Sequence, residues 1–237
     1  MPFALSGKHI LITSGPTHAP IDAVRFISNR SSGRLGRRIA EEALGRGARV
    51  TMVCGPGGST PNRVDMTAGE LARLTVHPIT TIGDLLEVLE PICTADDSPD
   101  AVVLAMAVLD YVPAEPSGVK TPSGQDVWHL ALVRTPKVIR RVRSWLPDAF
   151  LVEHKLEVAV PEPRLIERAM ASMRSNRADA IVANDLDLIR GDVHPALLLE
   201  PDGSVRGRPG TKGEIACALC DLLADRLDGE ARAASGT

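Results

Sequence analysis

Asn29, Arg30, Ser31, Ser32 and Gly33 stand in one row within the stretch RFISNRSSGRLGRRIAEEALGRGA, residues 25–48. The second half of that stretch places Leu35, Ile39 and Ala43 at spacing four, which predicts a helix over 33–46 stopped at Gly47. A helix start exposes unpaired N–H groups and a partial positive charge, and small residues let an anion reach them. Ser31 and Ser32 add hydroxyls and Arg30 a charge, so the row has the chemistry to hold a phosphate or a carboxylate. A serine cap followed by a glycine turn explains Ser32 and Gly33 as well. It does not explain Asn29 or the polar run before them.

Three other positions have chemical potential. Asp110 follows the most apolar run, AVVLAMAVL, and a carboxylate at a buried strand end needs a metal, a ribose or a hydrogen-bond donor. Lys120 sits in SGVKTPSG, either as a solvated loop lysine or on a flap that carries a cation onto a polyphosphate. His154 has no metal-ligating partner at helical spacing and also reads as a half-buried histidine. Lys155 and Glu157 can pair with each other. Cys217 and Cys220 form a CxxC inside an apolar helical pattern, and zinc would need two further ligands, so they read as core residues.

These residues need a frame that brings them together. Apolar runs at 8–14, 48–55, 73–79, 100–108, 149–156 and 178–184 read as strands. Helical patterns at 33–46, 82–92, 135–146, 163–174 and 211–227 alternate with them. A strand is also expected at 126–133, a hairpin over 195–205 with a DG turn, and a disordered tail at 229–237. The loop 111–125 holds three prolines, two glycines and no periodicity. The pattern predicts a single α/β domain over 1–228, a Rossmann-like, doubly wound, mostly parallel sheet with a flap inserted at about 109–126. In such sheets ligands bind beyond the carboxyl ends of the strands. The segments after the predicted strands, including NRSSG, LDY, Lys155 and NDL, are polar there.

Composition narrows the classes. The 237 residues carry a net charge of −3, which argues against a nucleic-acid binder. The longest apolar run is far short of the ~20 residues that span a bilayer. No signal peptide is read, and four cysteines fit a cytoplasmic protein. A nicotinamide-dependent oxidoreductase would show G-x-G-x-x-G after the first strand and an acid ending the second. TSGPT and MVCGPGG stand there instead, and the single tyrosine, Tyr111, has Glu115 where a lysine partner would sit. A Walker A loop is absent.

Taken together, PIDAVRFISNRSSGRLGRRIAEEA, AMAVLDYVPAE with Lys120 ten residues after Asp110, LVRTPKVI, HKLEV, ADAIVANDL and TKGEIA resemble the phosphopantothenoylcysteine synthetase (phosphopantothenate–cysteine ligase) family over almost the whole chain. The resemblance implies a ligase of coenzyme A biosynthesis. An NTP, CTP by preference and ATP as the alternative, would activate 4′-phosphopantothenate with Mg²⁺, and L-cysteine would then take the acyl group. It implies Asn29 and Lys120 as catalytic residues. Ala105, Met106, Ala107, Asp110, Lys120, Pro136, Lys137, Val138, Ile139, His154 and Arg168 would be near the nucleotide. Asn29, Arg30, Ser31, Ser32 and Gly33 would be near phosphate. Mg²⁺ would be held mainly by the triphosphate. A homodimer with the flap crossing between subunits is implied. The stand-alone form of the chain implies no flavin. Departures from the family pattern fall at Pro16, Leu109, Thr121 and His154. A non-catalytic nucleotide-binding relative stays open.

Overall fold

The computed structural model describes residues 3–235. In chain order the elements are β1 (His9–Ser14), β2 (His18–Pro20), β3 (Phe26–Ser28), α1 (Arg34–Gly45), β4 (Arg49–Cys54), α2 (Ala68–Leu71), β5 (Leu74–Pro78), α3 (Ile82–Thr94) and β6 (Ala101–Leu104). Then follow β7 (Tyr111–Pro113), β8 (Leu132–Arg134), α4 (Val138–Trp145), β9 (Phe150–Glu157), α5 (Glu162–Asn176), β10 (Ala180–Asp185), β11 (Ala196–Leu199), β12 (Val205–Gly207) and α6 (Lys212–Ser235).

The main sheet has eight strands in the order β12-β11-β10-β9-β6-β1-β4-β5. The stretch from β10 to β5 is parallel, and β11 and β12 join antiparallel. The parallel strands are apolar on both faces because helices cover both. Ile10, Ile12, Val50, Met52, Val103 and Val152 pack under α1 and α6. Leu11, Val53, Val102, Leu151 and Ile181 pack under α3, α4 and α5. From β1 the chain winds outward through β4 and β5, then crosses back to β6 on the other side. The carboxyl ends of β1 and β6 therefore flank the switch point where open α/β sheets leave a crevice. Two small ribbons, β2–β3 and β7–β8, stand outside the main sheet.

Several expectations need correction. The strand expected over 100–108 ends at Leu104, where local bonds from Ala105 N to Val103 O and from Val108 N to Met106 O break the regular ladder, although the chain still follows β1 and bridges Pro16 at Ala107. Met106 N is 3.4 Å from Thr13 Oγ1, and Ala107 N donates to Gly15 O at 2.9 Å. The strand expected over 126–133 shrinks to β8, which pairs with β7 rather than with the sheet. The helix expected from 135 begins at Val138, since the residue before Pro136 is held away from helical geometry. The tail expected to be disordered continues α6 as far as Ser235, in keeping with its run of good helix formers. Residues 236 and 237 lie outside the described residues. Cys217 is exposed rather than core, beside Arg46 at 3.3 Å, whereas Cys220 is buried. Among the described residues no helix is long and apolar enough to cross a membrane.

Candidate active site at the carboxyl edge of the sheet

Strand register sets one row across the sheet. Ser14 ends β1 and Ala105 follows β6. His154 lies one position beyond the Leu104–Glu153 pair and opposite Val182. All four are on the α1/α6 face, and Asn184 follows two residues beyond Val182. Helix α1 closes down on this row. A Cβ on Gly36 would be 2.6 Å from Ser14 Cβ, so only glycine allows the approach. Ser14 Oγ donates to Gly33 O at 3.0 Å and fixes where α1 begins.

The start of α1 has no side-chain cap. Its N-cap is Gly33, at φ 68, and its first turn holds no acid. The expected serine cap is therefore corrected. Ser31 Oγ accepts only from Gly33 N, at 3.4 Å. Ser32 turns its carbonyl to Ser59, accepting from both Ser59 N and Ser59 Oγ at 3.1 Å. The first-turn amides of α1 thus have no side-chain cap within the described residues. Arg30 is exposed beside them.

A second glycine-rich loop, Gly55-Pro-Gly-Gly-Ser59, supports this start. Gly15, at φ 77, packs against Gly55 and Gly58, and Gly33 packs against Gly58 and Ser59. A Cβ on Gly55 would overlap the Pro16 carbonyl. The glycine at 55 thus answers the close backbone of residue 16, whatever side chain stands there. Sequence reasoning used GPGGS only to note a missing acid. Three glycines within four residues after a buried strand were the signal for a close backbone approach.

Asn29 reaches the other side of the switch point. Its Nδ2 donates to Ala107 O at 3.3 Å and Val108 O at 3.2 Å. The polar row and the strand that supplies Ala105, Met106 and Ala107 therefore meet. Asp110 is not buried as expected. Its side chain is 63% exposed and pairs with Lys137 Nζ at 2.6 Å. That pair also brings the 136–139 segment to the same rim. Val138, by contrast, is buried in the core with Ile139 packed against it, so only its backbone can face a ligand. Lys120 is exposed, and no ion pair forms at it among the described residues.

His154 is partly exposed, but both ring nitrogens are buried without a hydrogen-bond partner. Burial, reinforced by the neighbouring His194, pushes it down to about 4. His194 is also held at about 4, by burial and Lys212, and its Nε2 is 3.0 Å from Asn184 Nδ2. Both imidazoles are therefore neutral at pH 7. Asn184 and His194 were missed as site residues, although NDL stood after a buried strand. Arg168 does not join His154. It lies on α5, over the opposite face, and pairs with Glu157, which also meets Lys155 at 3.3 Å.

The geometry leaves an uncapped helix start at α1, a polar row under it, and amide and carboxylate groups across a crevice. The sequence matches the family model described as DNA/pantothenate metabolism flavoprotein C-terminal domain over residues 5–227. A coenzyme A biosynthesis bifunctional protein CoaBC from Thermococcus kodakarensis is 36% identical over 226 residues, 95% of this chain and 53% of that protein. The chain spans about half the length of the curated relatives it matches. Among solved structures, the DNA/pantothenate metabolism flavoprotein from Streptococcus pneumoniae superposes with a TM-score of 0.82 at 30% identity, covering 93% of this chain and all of that one. The C-terminal domain of a CoaBC protein gives 0.76 at 28% identity, over 96% of this chain and 99% of that one. The chain belongs to the DNA/pantothenate metabolism flavoprotein C-terminal domain family.

Proposed function

We propose that the protein is a phosphopantothenate–cysteine ligase. It activates the carboxylate of 4′-phosphopantothenate with an NTP, releases pyrophosphate, and passes the acyl group from the nucleotide phosphate to the amine of L-cysteine, releasing NMP. The observation that carries this reading is the reach of Asn29 from the polar row to the Ala107 and Val108 carbonyls, beside the uncapped start of α1. A seat for anions and an amide with both donor and acceptor then share one crevice. The names of the CoaBC relatives support coenzyme A biosynthesis as the setting.

The chemistry follows from charge. Two anions, a carboxylate and a triphosphate, must be brought together, and each must be neutralised to react. The α1 amides, Ser31, Ser32 and Arg30 hold phosphate, and exposed Lys120 supplies a cation. No cluster of three or more metal-ligating side chains occurs among the described residues. Mg²⁺ would arrive on the triphosphate, lowering its charge, with Asp110 the carboxylate at the rim. The segments 105–107 and 136–139 border the nucleotide on one side and His154 on the other. In the second step Asn29 hydrogen-bonds the acyl-phosphate centre while cysteine attacks.

CTP is the favoured co-substrate, from the bacterial form of ISNRSSG, and ATP is the alternative, from HKLE. A homodimer fits the apolar side chains exposed on and near the flap, among them Tyr111, Trp128, Leu132 and Val133. The setting is cytoplasmic. The test is pyrophosphate release by purified protein with Mg²⁺, phosphopantothenate and each of four NTPs, with and without cysteine. Cysteine-dependent product with CTP is expected. No turnover with any NTP overturns the reading, and nucleotide binding without turnover marks a non-catalytic relative.

A further inference from the structure

We infer that Asp22 is a positioning residue that, with Arg25, latches the flap by its Thr121 peptide and so sets where Lys120 stands. The inference rests on the ligase reading for what Lys120 does, but the latch itself is independent of it.

Asp22 sits in the turn between β2 and β3, and its carboxylate is fully buried. Oδ1 accepts from Val24 N and Arg25 N, both at 2.8 Å. Oδ2 accepts from Arg25 Nε at 3.0 Å and, 99 residues along the chain, from Thr121 N at 3.1 Å. Arg25 Nη2 then donates to Thr121 O at 2.7 Å. Both backbone polar groups of one flap residue are thus held by one ion pair. Ser117 N adds a bond to Ile21 O at 2.9 Å, so the flap is tied on both sides of Lys120. The Arg25 guanidinium also lies 4.5 Å from the centre of the Trp128 ring, further along the flap.

Burial works to raise the Asp22 carboxyl, but the Val24 and Thr121 amides and Arg25 outweigh it and hold the group well below the usual carboxylate range. A charge buried in this way needs every partner it has. Between Pro113 and Leu132 the flap has no regular secondary structure. Its position depends on such side-chain ties. Lys120 is the residue immediately before the latched peptide. A displacement of about 1 Å at that point can cost on the order of 10²-fold in rate.

The test is a double-mutant cycle on the full chain, read by pyrophosphate release and by hydrogen exchange at 117–121. Asp22→Asn is expected to lower kcat at least tenfold and to speed exchange at Thr121. In a Lys120→Gln background the same substitution is expected to change kcat less than twofold, because the group it positions is gone. An equal fall in both backgrounds, or unchanged exchange at Thr121, overturns the inference. If Asp22→Asn does not fold, Trp128→Ala replaces it, with the same cycle and the same two readouts. If the wild-type chain turns over no NTP, the ligase reading fails alone, and exchange at Thr121 still decides the latch.

Discussion

Helices α1 and α3 begin in opposite ways. At α3, Thr81 Oγ1 accepts from Asp84 N at 3.2 Å, and Asp84 Oδ2 accepts from Thr80 N and Thr81 N at 3.0 and 2.9 Å. That helix closes its own amino end with a capping box and an acid. At α1 two serines precede the start, yet neither caps it, and the first turn carries Arg34 in place of an acid. Ser32 meets Ser59 through its carbonyl alone, and Ser31 Oγ accepts only from Gly33 N. The difference separates stability from function. The end of α3 is satisfied from within the chain, whereas the end of α1 has no side-chain cap and, under the ligase reading, is the end that meets an anion.

If α1 holds an anion, a cation must meet that anion from across the crevice, and this gives the largest expected effect. Lys120→Gln should slow pyrophosphate release by roughly 10²–10³-fold, the scale of losing one preorganised charge at a reacting phosphate. Its melting temperature should match wild type, because Lys120 makes no ion pair within the described structure. Asn29→Asp should leave the first step faster than the second, so that acyl-nucleotide accumulates in a quench experiment. Wild-type rates in both variants would remove the functional half of the contrast.

The row beneath α1 gives the next effect. His154 and His194 are held at about 4, below the ordinary histidine value. Well above pH 6.5 both states of the protein leave them almost entirely neutral. As pH falls from about 6.5 to about 4, the unfolded chain binds protons that the folded chain refuses, so stability is lost across that window. The loss should be on the order of a few kcal/mol for the pair. Denaturant midpoints measured from pH 8 to pH 4 would read it. His154→Phe removes one such histidine and its two orphaned nitrogens, and should flatten the curve. An unchanged slope would refute the buried, neutral assignment.

The legibility of the chain follows the same division. The alternation of apolar runs and helical patterns gave the sheet and its parallel core, since a strand buried on both faces cannot hide its composition. The polar row stood out in the sequence because its residue types are small and adjacent, and in the structure it leads into a helix start without a side-chain cap. The contact geometry was not legible. Asp110 was expected to be buried because a run of apolar residues precedes it. The regular strand stops at Leu104, and the segment beyond it is held by contacts to Thr13 and Gly15 that are distant in sequence, which carries Asp110 to the exposed rim. His194 and the Gly55–Ser59 loop went unread for a related reason. Each matters through what it faces, and no period marks a facing residue. The Asp22 latch spans 99 residues and leaves no local trace.

Packing of α1 on β1 supplies a third, intermediate effect. Gly36→Ala would force its methyl against Ser14, with an overpacking cost of about 1–3 kcal/mol. It should also weaken NTP binding, because the amides of α1 would lift from the row. Gly83→Ala, at the matching turn of α3, meets nothing closer than Thr81 Oγ1 at 3.5 Å and should be close to neutral. Equal effects at the two glycines would show that α1 tolerates the shift.

The smallest effect is the most direct test of the contrast between the two ends. Thr81→Ala removes a cap that the chain itself uses, and should cost about 1 kcal/mol of stability with turnover unchanged. Ser32→Ala removes a hydroxyl that caps nothing, and should leave stability within about 0.5 kcal/mol while raising the KM for phosphopantothenate. The two measurements, a denaturant midpoint and a KM, should therefore move in a crossed pattern. A stability loss in Ser32→Ala as large as that in Thr81→Ala would mean that the serine caps α1 in solution. The start of that helix would then be satisfied without a ligand.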